Sequence, residues 1–296
     1  MDPALPLQQH PRFAQALTLI GQRAEAMTLR DEKGRRLGKA LVVRRRVPVL
    51  GDVAYLPRGP IWDVDAPCDA RADALAASGA ILVEAEAPCP SLRLAGFRAV
   101  VTPAHVAELA LAGDPASRRA ALDGQWRGHL RQAERSGLTL RREAFDGDPA
   151  HWLLAREALL RRERRYRTLP QAVACAFART APGAARLLVA IEDGEQVAGM
   201  LFLLHPPVAT YHIGWTGLRG RALSAHHLLM MAAADDLAGE GFSRLDLGTI
   251  DAEASPGLAR FKAGLGATVR TLGGSWLRLP FARRLALRGP SRYSTA

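Results

Sequence analysis

The stretch ARLLVAIEDGEQVAGMLFLLH, Ala185 to His205, decides how the rest of the chain is read. Two apolar runs flank Asp193-Gly194, a dipeptide suited to a tight hairpin turn, so the stretch predicts two antiparallel strands. Toward the C-terminus it is followed by a strand in ATYHIGWTG, a helix from Ser224 to about Ala238 and a strand in SRLDLGTI. The segment GLARFKAGLGA and one last strand in VRTLGGSWLRL complete this part. Toward the N-terminus stands SRRAALDGQWRGHLRQAERSG, read as a single helix with Leu122, Trp126, Leu130 and Ala133 on one face and Gly137 as its stop. The strand LTLRREAF and an Arg-rich helix from about His151 to Tyr166 lie between the two.

The first third repeats the mixture. PRFAQALTLIGQ places Pro11 at a helix start with Phe13, Leu17 and Ile20 on one face, and AMTLRDEKGRRLGKALVVRRRV reads as strand, turn at Gly34, strand. DVAYLPRGPIWD ends a strand in a Pro/Gly-rich loop, CDARADALAASG forms a short helix, and AILVEAEAP is a strand. Both halves thus show strand pairs, a helix and further strands, without a sequence repeat. The expectation is an α/β (α+β) chain of two tandem units, residues 1–118 and 119–280, with residues 281–296 returning to the first.

Composition narrows the classes. The chain has 296 residues, 48% of them hydrophobic, enough for real cores and against disorder. Apolar runs such as AVACAFA and LLMMAAA fall short of the roughly 18 residues a bilayer-spanning helix needs. The N-terminal MDPALPLQQHPRF has an acid where a signal peptide carries basic residues, and no apolar region follows, so a cytoplasmic protein is expected. Cys68, Cys89 and Cys175 lack the spacing of a zinc site or a disulfide framework and read as buried free thiols. His212, His226 and His227 have no metal-ligand spacing either, and no metal is expected. A formal charge of +11 favours polyanionic partners: RNA, phosphorylated cofactors or an anionic membrane surface. The densest basic run, LLRRERRYR, lies in a stretch with two acids against six arginines from Arg156 to Arg167, either a solvated helix face or a contact for an anion.

Hairpin, strand, helix and strand in this order resemble acyltransferase folds of the GNAT type, in which two parallel central strands splay apart to admit an activated donor. Such enzymes cradle a pyrophosphate on backbone amides at a glycine-rich helix start. The corresponding segment here is GLRGRALSAHH, with Arg219, Gly220, Arg221 and Ser224 as donor-binding candidates. Ala222, Leu223 and Ser224 stand where the tightest glycines belong, which counts against a standard acetyl-CoA enzyme.

YLPRGPIWD, GHLRQAERSGLTL, LDLGTID and GLARFKAGLGA, in this order across most of the chain, together resemble the Fem-type (FemAB-like) peptidoglycan bridge enzymes and their GNAT-like relatives. The resemblance implies two GNAT-like domains with mixed, splayed central sheets. It also implies transfer of an aminoacyl group from aminoacyl-tRNA, or of another activated acyl group, onto an amine, with no permanently bound cofactor. The coiled-coil arm of some members is missing. Lys262 matches the lysine of the family's Phe-Lys motif, with Phe261 before it; its ammonium would stabilise the oxyanion formed when an amine attacks an ester. Only three lysines occur, Lys33, Lys39 and Lys262, so an ammonium here is distinctive, although a surface lysine lying beside Phe261 is the plain alternative. Arg58 and Asp63 of the RGP loop become substrate-binding candidates, and Glu86 the carboxylate that orients or deprotonates the acceptor amine. Tyr211 aligns with a substrate-contacting tyrosine, and Arg167 is a further substrate-binding candidate. The implied partners are tRNA and an amine-bearing small molecule or peptidoglycan-precursor-like acceptor, with peripheral membrane contact through the basic, amphipathic FARRLALRG. Two other classes stay open: an acyl-CoA-dependent N-acyltransferase, and a non-catalytic RNA- or membrane-surface-binding protein on a transferase scaffold.

Overall fold

The computed structural model describes residues 4–48, 51–63, 65–164 and 168–278. Arg167 and FARRLALRG lie outside them. Along the chain, α1 (Pro11–Leu19) is followed by β1 (Arg23–Arg30), β2 (Arg36–Val47), β3 (Gly51–Leu56), β4 (Ile61–Trp62), α2 (Cys68–Ala77), β5 (Leu82–Ala85) and β6 (Arg98–Val101). Next come β7 (His105–Ala110), α3 (Pro115–Ala120), α4 (Gly124–Glu134), β8 (Thr139–Ala144), α5 (Trp152–Arg164) and α6 (Gln171–Ala178). The strands β9 (Ala185–Glu192), β10 (Glu195–His205) and β11 (Val208–Thr216) precede α7 (Leu218–Ala222) and α8 (Ala225–Gly239). Last are β12 (Arg244–Ile250), α9 (Pro256–Gly264), β13 (Thr268–Thr271) and β14 (Gly274–Leu277).

These elements form two compact units, residues 1–22 with 104–271 and residues 23–103 with 272 onward. The division differs from the expected one at 118/119. The reason is an exchange of strands. In the smaller unit the sheet runs β1-β2-β3-β5-β14-β6, with β4 on β2, so its place beside β5 is filled by residues that follow β13. In the larger unit the sheet runs β13-β7-β12-β11-β10-β9-β8, and the matching place beside β12 is filled by β7, which follows β6. The return to the first unit is therefore made by Gly274–Leu277, earlier than residues 281–296. VRTLGGSWLRL, expected as one strand, is two strands of two sheets. It breaks at Gly273-Gly274, where a Cβ on Gly273 would stand 2.2 Å from the Ala87 carbonyl oxygen and Gly274 takes φ +80°.

In the smaller unit β3 and β5 pair in parallel over Tyr55–Leu56 and Leu82–Val83 only, around a core that includes Leu37, Val42, Leu56, Leu75, Val83 and Phe97. Cys68 opens α2, and its Cα lies 5.7 Å from that of Cys89, with which it forms a disulfide. This corrects the free-thiol expectation for the pair, because folding brings together cysteines 21 residues apart; Cys175 is free and buried.

In the larger unit the hairpin turn is at Asp193 and Gly194, both at positive φ, as the sequence predicts. The core lies between the sheet and α4 and α8, with Trp126, Leu130, Met200, Phe202, Leu229, Met230 and Leu245 in it. The expected single helix around Leu122 is two, because Asp123 caps α4 by accepting from the backbone N–H groups of Gln125 and Trp126. β11 and β12 are the parallel pair. They are joined only over Val208–Thr210 and Arg244–Asp246, and the rest of each strand continues without the other. That is the splay expected of the fold.

Candidate active site

Lys262 lies in the last turn of α9, 4% exposed, and donates from Nζ to the Thr249 carbonyl at 2.7 Å. Thr249 belongs to the part of β12 beyond its pairing with β11. The side chain is thus buried at the open end of the splayed pair, and the surface-lysine alternative does not hold. Burial pushes the ammonium down to about 8, against the opposing pull of the Asp246 carboxylate. Asp246 is itself 1% exposed and accepts from the Gly248 N–H at 2.7 Å. Gly248 takes φ +74° within an irregularity of the β7–β12 ladder, which lets the strand bend over the ammonium.

The position of α9 is set by α4. Trp126 Nε1 donates to the Phe261 carbonyl at 3.0 Å, the Asp123 N–H donates to the Gly264 carbonyl at 2.9 Å, and a Cβ on Gly264 would stand 3.0 Å from Trp126 Cδ1. The Phe261 ring meets Trp126 at 5.8 Å, His227 at 5.2 Å and His226 at 6.3 Å, and His227 stacks on His129 at 4.8 Å. Burial holds His226 and His227 down to about 4, so both are neutral at physiological pH. Residues of α4, α8 and α9 thus form an aromatic cluster around Phe261, the residue before Lys262.

The donor-binding candidates sit in the link from β11 to α8. A bulge in β10 leaves the Val197 carbonyl free to accept from the Gly217 N–H at 3.0 Å. Gly220 packs on the same carbonyl, where a Cβ would stand 2.3 Å away. Arg219 is paired with Glu192 at 2.5 Å, and Arg221 is exposed. Ser224 has φ +56°, and its hydroxyl meets His129 Nδ1 at 3.1 Å and Gln132 Oε1 at 3.2 Å. Of the four, Arg221 presents an exposed guanidinium, Arg219 is held by Glu192, and Gly220 and Ser224 shape the link.

Strict alternation along β11 would put Tyr211, Ile213 and Trp215 on one strand face. His212 is instead the extra residue of a bulge opposite Leu201 and Phe202, so Tyr211 turns to the core beside Phe202 at 5.7 Å while Trp215 meets Trp152 of α5. In the smaller unit Arg58, at φ +45°, pairs bidentately with Glu86 at 2.9 and 3.0 Å, each side chain 12% exposed. The two candidates thus partner each other: both carboxylate oxygens expected to take an amine already accept from the guanidinium. Asp63 is paired bidentately with Arg36 at 2.9 and 3.0 Å. Among the described residues no group of His, Cys, Asp and Glu has the arrangement to hold a metal, and no helix is long and apolar enough to cross a membrane.

Asp246, Thr249, Trp126 and His129 were not singled out as site residues. Trp126 could have been: an indole on the apolar face of a helix needs a partner for its N–H. Thr249 contributes only a backbone carbonyl and leaves no signal in side-chain types.

The family model described as an acetyltransferase (GNAT) domain matches residues 117–263, the stretch that holds the splayed pair, the link and Lys262. These residues are a GNAT domain. The crystal structure of FemX is similar to the chain with a TM-score of 0.73 at 13% identity, covering 95% of this chain and 96% of that one. L-PGS from Bacillus licheniformis is similar with a TM-score of 0.50 at 12% identity, covering 96% of each chain. A conserved protein of unknown function from Bacteroides thetaiotaomicron gives 0.54 at 10% identity, covering 89% of this chain and 87% of that one. At these identities the likeness is one of fold, and that fold is the Fem-like, GNAT-related one expected from the sequence. No curated protein matches by sequence.

Proposed function

We propose that the chain is an N-acyltransferase that moves an aminoacyl group from aminoacyl-tRNA, or another activated acyl group, onto an amine by direct attack. The observation that carries this reading is the buried ammonium of Lys262 at the open end of the β11–β12 pair. The amine nitrogen bonds to the donor carbonyl carbon, negative charge collects on the carbonyl oxygen, and the donor's oxygen or sulfur leaves with a proton as the tetrahedral centre collapses. An ammonium fixed in a largely desolvated place stabilises that oxyanion more strongly than it stabilises the uncharged carbonyl. Arg58 and Glu86, held to each other, serve this reading as a pair that shapes the RGP loop. The acceptor is an amine-bearing small molecule or a peptidoglycan-precursor-like molecule, and the site of action is the cytoplasm, with peripheral membrane contact.

The family model's description as an acetyltransferase favours a second reading, with acyl-CoA as donor. Labelled aminoacyl-tRNA and acetyl-CoA, each offered with a panel of primary amines, separate the two. For whichever donor is used, Lys262→Met should lower turnover by about a hundredfold, the ~3 kcal/mol of an oxyanion contact, with a much smaller change in KM. Equal turnover by the variant would remove Lys262 from the mechanism. Donor binding that weakens steeply with salt supports tRNA, whereas salt-insensitive binding supports coenzyme A.

A further inference from the structure

The face of α5 that packs inward carries Leu153, Leu154 and Glu157. Trp152 and Arg156, one turn apart, therefore lie on its flank. Both reach Trp215 of β11: the two indoles meet edge to face at 5.7 Å, and the Arg156 guanidinium lies over the Trp215 ring at 5.2 Å. Room for this comes from Gly199, directly opposite Trp215 on β10, where a Cβ would stand 2.7 Å from Trp152 Cη2. Neither indole is fully buried, and Arg156 is exposed. Trp215 belongs to the part of β11 that has left β12, and its carbonyl is held by His226 Nε2 at 3.0 Å immediately before the link that carries Arg219 and Arg221. The last turn of α5 adds Arg161, Arg162 and Arg164.

Two partly open indoles and a flat, exposed guanidinium offer stacking surface and positive charge together, which suits a nucleobase carrying phosphate. We propose that Trp152, Trp215 and Arg156 form the platform on which the adenosine end of the donor stacks, with its phosphates turned to the arginines of α5 and of the link. The proposal rests on the acyltransferase reading, and it names a chemistry shared by both donor sources: the 3′ end of tRNA and coenzyme A each present an adenosine next to phosphate. A base that takes the Trp215 face displaces the guanidinium outward, where it meets the phosphate as a bidentate donor.

The test uses the full chain and measures binding alone, so it can fail while Lys262-dependent transfer stands, and the reverse. Adenosine 5′-monophosphate, coenzyme A, an uncharged acceptor-stem RNA ending in CCA and inorganic phosphate are titrated, with indole fluorescence and calorimetry as readouts. Adenosine monophosphate should quench the fluorescence and bind, whereas inorganic phosphate should not quench. Trp215→Leu should weaken binding roughly tenfold to a hundredfold, the range of one lost stacking contact. Arg156→Gln, on an exposed flank, and Trp152→Phe decide the matter if Trp215→Leu does not fold; the first should weaken binding and the second should reduce the quench. Tighter binding of the RNA assigns the platform to tRNA, and tighter binding of coenzyme A assigns it to that donor. Absence of binding by all three adenosine-bearing probes, or binding unchanged in every folded variant, overturns the proposal.

Discussion

Lys262 combines burial with a charge its role requires, and the two pull in opposite directions on pH. Its ammonium titrates at about 8 in the folded chain against an ordinary value near 10.5. Turnover that depends on it should fall as pH rises through about 8. Between about 8 and 10.5 the unfolded chain binds more protons at this group than the folded one, so its contribution to stability rises with pH over that window. A pH–rate profile set beside a pH–stability curve therefore checks the assignment: an alkaline loss of rate without loss of fold is expected, and a flat profile to pH 10 contradicts it. This residue was legible in the sequence because an ammonium is rare among so many guanidinium groups and follows a phenylalanine. Its surroundings were not. Asp246 acts on Lys262, and His129 reaches Phe261 by way of His227, only through the packing of α4, α8, β12 and α9, contacts no local pattern encodes.

At the scale of elements, the link from β11 to α8 depends on a bulge and a glycine. Gly220→Ala should destabilise the larger unit by about 1–3 kcal/mol, since the added methyl meets a backbone carbonyl that cannot yield without moving the bulge. Thermal unfolding and donor binding measured together test this; unchanged stability would mean that α7 shifts freely. The strands of the β9–β10 hairpin were readable because length, apolar runs and turn residues all agree there. β7 was not read as a strand, because HVAELALAG has the composition of a helix and acquires its strand pairing from β12 and β13, more than 130 residues away. The bulge at His212 escaped for a related reason: strict alternation assigns every second residue to one face, and one extra residue reverses the assignment after Tyr211.

For the whole molecule, the Cys68–Cys89 link closes a loop of 21 residues and should contribute about 3 kcal/mol where it is oxidised. Thiol counting with and without reductant, beside the melting temperature of Cys68→Ser, checks this; one accessible thiol pair and an unshifted melting temperature would show that the link does not form. The exchange of β7 and β14 has a consequence for synthesis. As the chain leaves the ribosome, β5 appears long before β14, its neighbour in the sheet, and β7 waits for β12. The larger sheet is complete once β13 has emerged, but the smaller one is not, so the nascent protein exposes the unfilled strand position between β5 and β6 until β14 appears. In chains truncated between residues 271 and 274 the smaller unit should therefore be a substrate for chaperones and proteases, while the larger unit, whose strands are all present, keeps its fold.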